Sequence, residues 1–291
     1  MTAVAPAPAW RGIGLILLAG LCFTVQDAVA KHVAAAVPVL MVLWVRYVLQ
    51  AGISAALLLP TVPRERLRTR RAGLQVLRGL LLLGSSASAV HGLKHLPMAE
   101  FAAIVMVTPL LVSLLAVVFF KEQLSAAGWA LLVLSFAGTL LIVRPAGAPY
   151  GWAALYPFAC MVLGALYQLV TSRLAREGED PTATHLLSMG TCALLFSLTA
   201  PLSWSPVDDI ASWGWLALMS AAGAAGHLFV AHAYRHAPAT VLAPCSYASL
   251  GWAVLAGWLV FGHVPDAWTW GGIALILACG LASTRLRPGG P

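Results

Sequence analysis

Charged side chains are what this sequence has least of. Asp, Glu, Lys and Arg make up only 9% of its 291 residues, whereas 60% are apolar, and a soluble globular domain carries about 25% charged residues. At a mean hydropathy of +0.88, the chain has more apolar surface than one water-facing core hides, so the remainder has to face lipid. The composition excludes a soluble globular domain, intrinsic disorder and a collagen-like repeat, and it predicts an integral membrane protein.

Patterns typical of redox and metal chemistry are also missing. The five cysteines show no CxxC spacing, so we interpret them as small buried hydrophobic residues. The pairs His91/His95 and His232/His236 have the i, i+4 spacing that can chelate a metal, which makes a membrane di-metal enzyme the rival class. Such enzymes carry clustered HxxHH motifs, which this chain lacks. We therefore predict a protein that is not an enzyme and that binds no metal or cofactor.

Proline, glycine and charge divide the apolar sequence into ten segments of about 20 residues, the length of a membrane-crossing helix. The predicted spans lie near 12–32, 39–60, 76–94, 98–120, 126–143, 150–172, 182–201, 212–234, 239–261 and 268–285. Between these spans no stretch is long enough for a soluble domain. We predict an all-α integral membrane protein of ten transmembrane helices, whose function lies within the bilayer or at its faces.

The positions of the basic residues predict the orientation. With the N-terminus in the cytoplasm, thirteen of the 17 lysines and arginines fall inside and three fall outside, which is the excess expected of cytoplasmic loops. The inside set is Arg11, Arg64, Arg66, Arg68, Arg70, Arg71, Arg78, Lys121, Arg173, Arg176, Arg235, Arg285 and Arg287; the outside set is Lys31, Lys94 and Arg144. The net charge of +7 therefore reports orientation, and we expect no nucleic-acid partner. The arginine cluster at 64–71 is interpreted as a topology anchor, with binding of acidic lipid head groups as the alternative.

An internal repeat divides the chain into two halves. A shift of 141 residues aligns His91–Pro97 with His232–Pro238, and the same shift aligns Gln26-Asp27 with Tyr167-Gln168. Because each half has five spans, the second half crosses the membrane in the opposite sense to the first. Inverted repeats are typical of alternating-access transporters, whose substrate site lies near the midplane between the halves. We predict a first repeat over residues 1–146 and a second, inverted repeat over residues 147–291.

Several short motifs appear in a characteristic order. They are Arg46 in span two, Arg78 at the start of span three, Thr108-Pro109 in span four, and Phe120-Lys121-Glu122 followed by Gly128-Trp129. With the five-plus-five plan, they resemble the drug/metabolite transporter superfamily, in its EamA branch. The resemblance implies a monomeric, multi-pass exporter of the bacterial inner membrane with cytoplasmic termini, most similar to the YddG-type aromatic amino-acid exporters. The implied substrates are aromatic and other neutral amino acids, with threonine or homoserine, nucleosides or purines, and S-adenosylmethionine as alternatives.

Two charged residues lie deep in the first two spans. Asp27 precedes the first turn and Arg46 follows it by similar numbers of residues, which places them at similar depth on neighbouring antiparallel helices. We predict an ion pair, since intramembrane charges are usually paired or functional. The pair is either a structural clamp or also a contact for a charged substrate group. A carboxylate held by an arginine stays ionised and is a poor proton carrier, so we predict transport without proton coupling.

Polar, aromatic and sulfur side chains at mid-span depth predict a mostly apolar site with a few polar groups, which suits an amphipathic metabolite. The predicted substrate-binding residues are Gln26, Trp44, Arg46, Tyr47, Ser85, Ser88, Met106, Tyr167, Gln168, His185, His227, Tyr247, Ser249 and Trp252. Packing between helices is the alternative role for each of them. The predicted structural or gating residues are Asp27, Arg78, Pro109, Glu122, Pro157 and Pro244. The prolines belong to this set because proline interrupts helix hydrogen bonds and can kink a span.

Overall fold

The computed structural model describes residues 9–61, 63–120, 125–144, 151–207, 209–236, 242, 245 and 247–283. All regular secondary structure within these residues is helical. The α-helices are α1 (Ala9–Val33), α2 (Val39–Leu58), α3 (Ala72–His95), α4 (Met98–Val105), α5 (Thr108–Phe120), α6 (Ala126–Val143), α7 (Leu155–Arg176), α8 (Pro181–Ser203), α9 (Ile210–His236), α10 (Ala248–Phe261) and α11 (Ala267–Ser283). Short 3₁₀ segments cover Leu59–Thr61, Arg64–Leu67 and Gly151–Ala154.

The described helices account for ten membrane spans. Eight helical stretches are long and apolar enough to cross a bilayer, and the shorter apolar helices α10 and α11 supply two more. One of the eight is Met98–Phe119, which combines α4 and α5. The predicted all-α fold with ten spans is confirmed, and the helix bounds differ from the predicted ones by a few residues at most ends.

The two sets of five spans run in opposite senses. At one end of the bundle, the amide of Arg70 before α3 donates to Glu179 after α7; we call this end, with residues 59–71 and 177–180, the basic end. At the other end, which we call the far end, Arg144 after α6 forms an ion pair of 2.7 Å with Asp266 before α11. The first set (α1–α6) therefore starts at the basic end and the second set (α7–α11) at the far end, which confirms an inverted five-plus-five arrangement.

Span four is interrupted just before its proline. Helix α4 ends at Val105 and α5 begins at Thr108. Pro109 has no N–H to offer the carbonyl of Val105, and the Thr108 hydroxyl donates to that carbonyl instead at 2.6 Å. The hydroxyl therefore satisfies the acceptor that the proline leaves open.

Pro157 lies in the first turn of α7, and the gating role predicted for it stays a prediction. It is the third residue of α7, because the helix begins at Leu155 rather than near residue 150. The first amides of a helix have no intrahelical acceptor, so a proline in the first turn costs no hydrogen bond. The predicted gating residues Glu122 and Pro244 lie outside the described residues.

The centre of the bundle is built by three helices from each repeat. Helix α1 packs along α9, α2 packs on α8 and α9, and α3 packs on α7 and α8. Outside this centre, α6 packs closely on α11. There Gly138 and Gly272 face each other, and a Cβ at Gly272 would lie 2.6 Å from the Gly138 carbonyl oxygen and 2.6 Å from Ile142. Small residues at such crossings let helix backbones approach closely.

The close contact between α6 and α11 predicts that a larger side chain at Gly272 destabilises the protein. We expect Gly272→Val to lower the free energy of unfolding by about 1–3 kcal/mol, because the new side chain meets backbone that cannot move aside. Gly271→Val is the matched control, since nothing lies within 4 Å of a Cβ there. Thermal unfolding in detergent measures both variants. Equal melting temperatures for the two would contradict the close crossing.

Candidate substrate site

The most deeply buried amides of the first repeat meet helix α9 at the centre of the bundle. Gln26 of α1 is 4% exposed and Gln50 of α2 is 1% exposed. The side-chain oxygens of both residues face Gly223 of α9, where a Cβ would collide with Gln26 Oε1 and lie 3.3 Å from Gln50 Oε1. A glycine at this position therefore makes room for two amides from the opposite repeat.

Several buried polar atoms here have no hydrogen-bond partner among the described residues. They are Gln26 Oε1, both Gln50 Oε1 and Nε2, and Nε of Arg46, a residue that is 8% exposed. Most buried polar atoms in proteins are paired, and each unsatisfied one costs about 1–3 kcal/mol. Such a cluster indicates a site that is completed by a polar ligand or by water.

Asp27 and Arg46 do not form the predicted ion pair. Within the part of the chain that the structure describes, no contact of 4 Å or less joins their charged atoms. Asp27 accepts a hydrogen bond from Gln26 Nε2 at 3.5 Å, and the Arg46 guanidinium lies 5.2 Å from the centre of the Tyr47 ring. The physical reason is that α1 and α2 each pack on α9 rather than on one another. The two charges are therefore held apart, on helices that both pack on α9.

Helix α3 links the first two helices to the second repeat, because it packs on α7 and also touches α1 and α2. The hydroxyl of Ser85 on α3 donates to the Cys160 carbonyl of α7 at 3.2 Å. The predicted site residue Ser85 therefore lies at the contact between the two repeats.

Two histidines continue the polar interior toward the basic end. The rings of His185 on α8 and His227 on α9 have centroids 5.5 Å apart. His185 Nε2 lies 3.2 Å from the Ser54 hydroxyl on α2, and Phe23 on α1 packs edge-on against His227. Both predicted histidines therefore lie between the repeats.

Arg78 lies nearer the basic end and ties α3 to the second repeat. It is 5% exposed. Its guanidinium donates to the hydroxyls of Thr171 (2.7 Å), Ser188 and Tyr167 and to the Thr184 carbonyl (2.9 Å). None of these acceptors carries a charge. Arg78 is thus a buried cation held by neutral oxygens of α7 and α8, and this arrangement fits the structural role predicted for it.

At the surface of the basic end, further contacts join the two repeats. Glu179 accepts the Arg70 amide at 2.8 Å and Gln75 Nε2 at 3.3 Å, and Arg71 pairs with Glu177 at 2.6 Å. The pKa of Glu179 is lowered, first by the hydrogen bond from Thr69 and then by the other donors. These contacts hold the loop before α3 against the loop between α7 and α8.

Several predicted substrate residues lie elsewhere. Gln168 is exposed on the bundle surface, so it is not part of this cluster, although its neighbour Tyr167 faces Arg78. Trp44 donates to Ser197 on the outer face of α8. Tyr247 packs where a Cβ on Gly280 would be. Tyr47 forms a hydrogen bond with Ser86 and stacks on Phe196. Ser249 and Trp252 lie against Gly20. Ser88 and Met106 are half-buried.

Gln50 is the functional candidate that the sequence prediction missed. A single amide in an apolar span is easily taken for packing. Gln50 follows Arg46 by one helical turn, and residues at i and i+4 share a helix face. That spacing is the signal that places it beside the predicted charge.

Two inverted five-helix repeats with incompletely bonded polar groups between them are the arrangement expected of a membrane transporter. The EamA-like transporter family matches residues 10–144 and again residues 151–283. The chain belongs to this family.

The chain is similar to transporters with different printed substrates. It is 30% identical to the riboflavin transporter of Rhizobium johnstonii, over 97% of this chain and 94% of that protein. It is 25% identical to the pseudopaline exporter CntI of Pseudomonas aeruginosa (96% and 97% covered) and 25% identical to the S-adenosylmethionine uptake transporter of Rickettsia conorii (91% and 90% covered). A solved crystal structure with 21% identity shares the fold at a TM-score of 0.67 over 94% of this chain and 96% of that chain. The narrower resemblance to aromatic amino-acid exporters stays a prediction.

The Arg78 contacts predict a loss of stability on substitution. We expect Arg78→Met to lower the free energy of unfolding by at least about 2 kcal/mol, because it removes several charge-assisted hydrogen bonds. Arg78→Lys should recover only part of this, since one ammonium cannot reach all four acceptors. Arg68→Gln, at an exposed position of the same end, is the control. Thermal unfolding that is unchanged in Arg78→Met would rule out the tie between α3 and the second repeat.

Glu179 predicts a pH-dependent contact at the basic end. Its folded pKa lies below the ordinary value of 4.5, so the contact is fully present above that value and is lost as the pH falls through the folded pKa. The protection of amides in residues 63–71 against hydrogen exchange, relative to the intrinsic rate at each pH, should therefore fall in this acid range. In Glu179→Gln the same step should be missing, and a step that persists there would assign it to another group.

Proposed function

We propose that this protein moves a small amphipathic metabolite across a membrane by alternating access, with its site at Gln26, Gln50 and Arg46. The observation that carries the proposal is the set of buried, unpaired polar atoms at the point where helices of both repeats meet. A passive scaffold would gain stability by replacing them with apolar atoms. A transporter needs them to replace the hydration shell of its substrate.

Two different sets of contacts are suited to alternate opening. At the basic end the repeats are joined by polar contacts through Arg78, Glu177 and Glu179. At the far end α3 meets α7 through aromatic contacts, with His91 stacked on Tyr156 and the rings of His95 and Trp152 5.6 Å apart. Release of one set at a time would expose the site to one side of the membrane.

Aromatic and other neutral amino acids are the first substrate class that we propose. A few polar groups near an aromatic ring such as that of Phe23 suit a molecule with a polar head and an apolar side chain. We propose export across a bacterial inner membrane with both termini cytoplasmic, on the positions of the basic residues and the family resemblance. The relatives named above include an exporter and an uptake transporter, so the assay has to measure transport in both directions.

Riboflavin is the second candidate substrate, favoured by the 30% identity that extends over nearly the whole chain.

The transport assay also has to test whether substrate movement is coupled to proton movement. The ion pair that would keep Asp27 from acting as a proton carrier is not formed, so the argument against coupling no longer holds.

Transport in proteoliposomes tests the proposed function. We expect uptake of labelled phenylalanine or S-adenosylmethionine that unlabelled substrate competes, measured with and without a proton gradient. Gly223→Ala should reduce it by about tenfold, equivalent to about 1.4 kcal/mol, because the new methyl group displaces the Gln26 amide. Gly214→Ala is the matched control on the same helix, since nothing lies within 4 Å of a Cβ there.

Two results would contradict the proposed function. Absence of flux for amino acids, S-adenosylmethionine and riboflavin alike would rule out all of the proposed substrates. Wild-type flux in Gly223→Ala would rule out the proposed site at Gln26, Gln50 and Arg46.

A further inference from the structure

The central site holds two opposite charges that do not touch. Asp27 lies on α1 and Arg46 on α2 at similar depth, both helices pack on α9, and no ion pair joins the two charges within the described residues. Isolated charges inside a bilayer are costly and are normally neutralised by a partner. A gap between opposite charges therefore leaves each with attraction to offer a third group.

From this arrangement we infer that the site recognises the zwitterionic head of an α-amino acid, with the ammonium toward Asp27 and the carboxylate toward Arg46. The inference rests on the proposed transport function and names the substrate class of that site. The amide of Gln50 serves both groups of the ligand in this arrangement, because its oxygen accepts from the ammonium and its nitrogen donates to the carboxylate.

The unpaired atoms require both kinds of hydrogen bond. Two of them, Gln26 Oε1 and Gln50 Oε1, can only accept; Gln50 Nε2 and Arg46 Nε can only donate. A carboxylate alone satisfies the donors and leaves both oxygens unpaired. An ammonium alone does the reverse. A zwitterion satisfies both sets and adds no net charge to the membrane interior.

Arg78 does not compete for the carboxylate. Its donors already bond to Thr171, Thr184, Ser188 and Tyr167. Arg46, with a buried donor unpaired, is the cation that remains for the ligand in the described part of the site.

The inference separates the candidate substrates by their chemistry. Phenylalanine carries the zwitterionic head, and S-adenosylmethionine carries the same head on a larger body. Riboflavin has neither an ammonium nor a carboxylate. The site should therefore bind the first two and discriminate against the third.

Truncated ligands test this on the wild-type protein. Binding to purified protein in nanodiscs is measured for phenylalanine, for 2-phenylethylamine, which lacks the carboxylate, and for 3-phenylpropionate, which lacks the ammonium. S-adenosylmethionine and 5′-methylthioadenosine form a second set, which differs by the amino-acid portion and by the sulfonium charge. We expect each truncated ligand to bind at least about tenfold more weakly than its parent.

Two variants assign the charges. Asp27→Asn should weaken phenylalanine but leave 3-phenylpropionate unchanged, because that ligand has no ammonium to lose. Arg46→Gln should weaken phenylalanine but leave 2-phenylethylamine unchanged. Lys94→Gln, an exposed position near the end of α3, removes a charge away from the site and should leave all affinities as they are. If either site variant does not fold, the ligand comparison on the wild type decides alone.

The outcomes separate this inference from the proposed function. Equal binding of parent and truncated ligands, or no binding of either phenylalanine or S-adenosylmethionine, overturns the inference. Transport of riboflavin alone would overturn the inference and leave a transporter. Zwitterion binding without flux in liposomes would overturn the proposed function and leave the recognition of the head group standing.

Discussion

The bilayer makes an unsatisfied polar group costly, which favours polar side chains at mid-depth that face the interior of the bundle. In this chain the constraint turns Gln26, Gln50, Arg46 and Arg78 inward, and the inner six helices, three from each repeat, are arranged around them. The glycine at 223 lets the opposite repeat close on the amides. The site is thus a consequence of where polarity is tolerated in an otherwise apolar chain.

The buried polar groups of the centre fall into two states. Around Arg78 the protein supplies an acceptor for each of the three guanidinium nitrogens, and these bonds hold the helices together. Around Gln26, Gln50 and Arg46 the protein leaves acceptors and donors open. A fully hydrogen-bonded network stabilises the fold, whereas an incomplete network is suited to binding a polar ligand. This contrast, within one layer of helices, is the basis for assigning the first to a tie between repeats and the second to a substrate site.

Hydropathy predicted the ten spans because apolar length is all that a bilayer requires. It could not predict how each helix is rotated, since the spans are apolar on every side. That is why Gln168 turned out exposed beside the half-buried Tyr167, and why Asp27 and Arg46 share a depth without forming an ion pair. Helix α7 begins later than predicted, which places Pro157 in its first turn. Gln50 was missed because one amide in an apolar span has no periodicity, although its spacing from Arg46 placed it on the same helix face.

A substrate-bound structure in a lipid nanodisc tests the central claim most directly. The account predicts ligand density between α1, α2 and α9, with polar ligand atoms within hydrogen-bond distance of Gln50 and of at least one of Gln26 and Arg46. Density bound elsewhere in the bundle, with the Gln50 amide still unpaired, would contradict it.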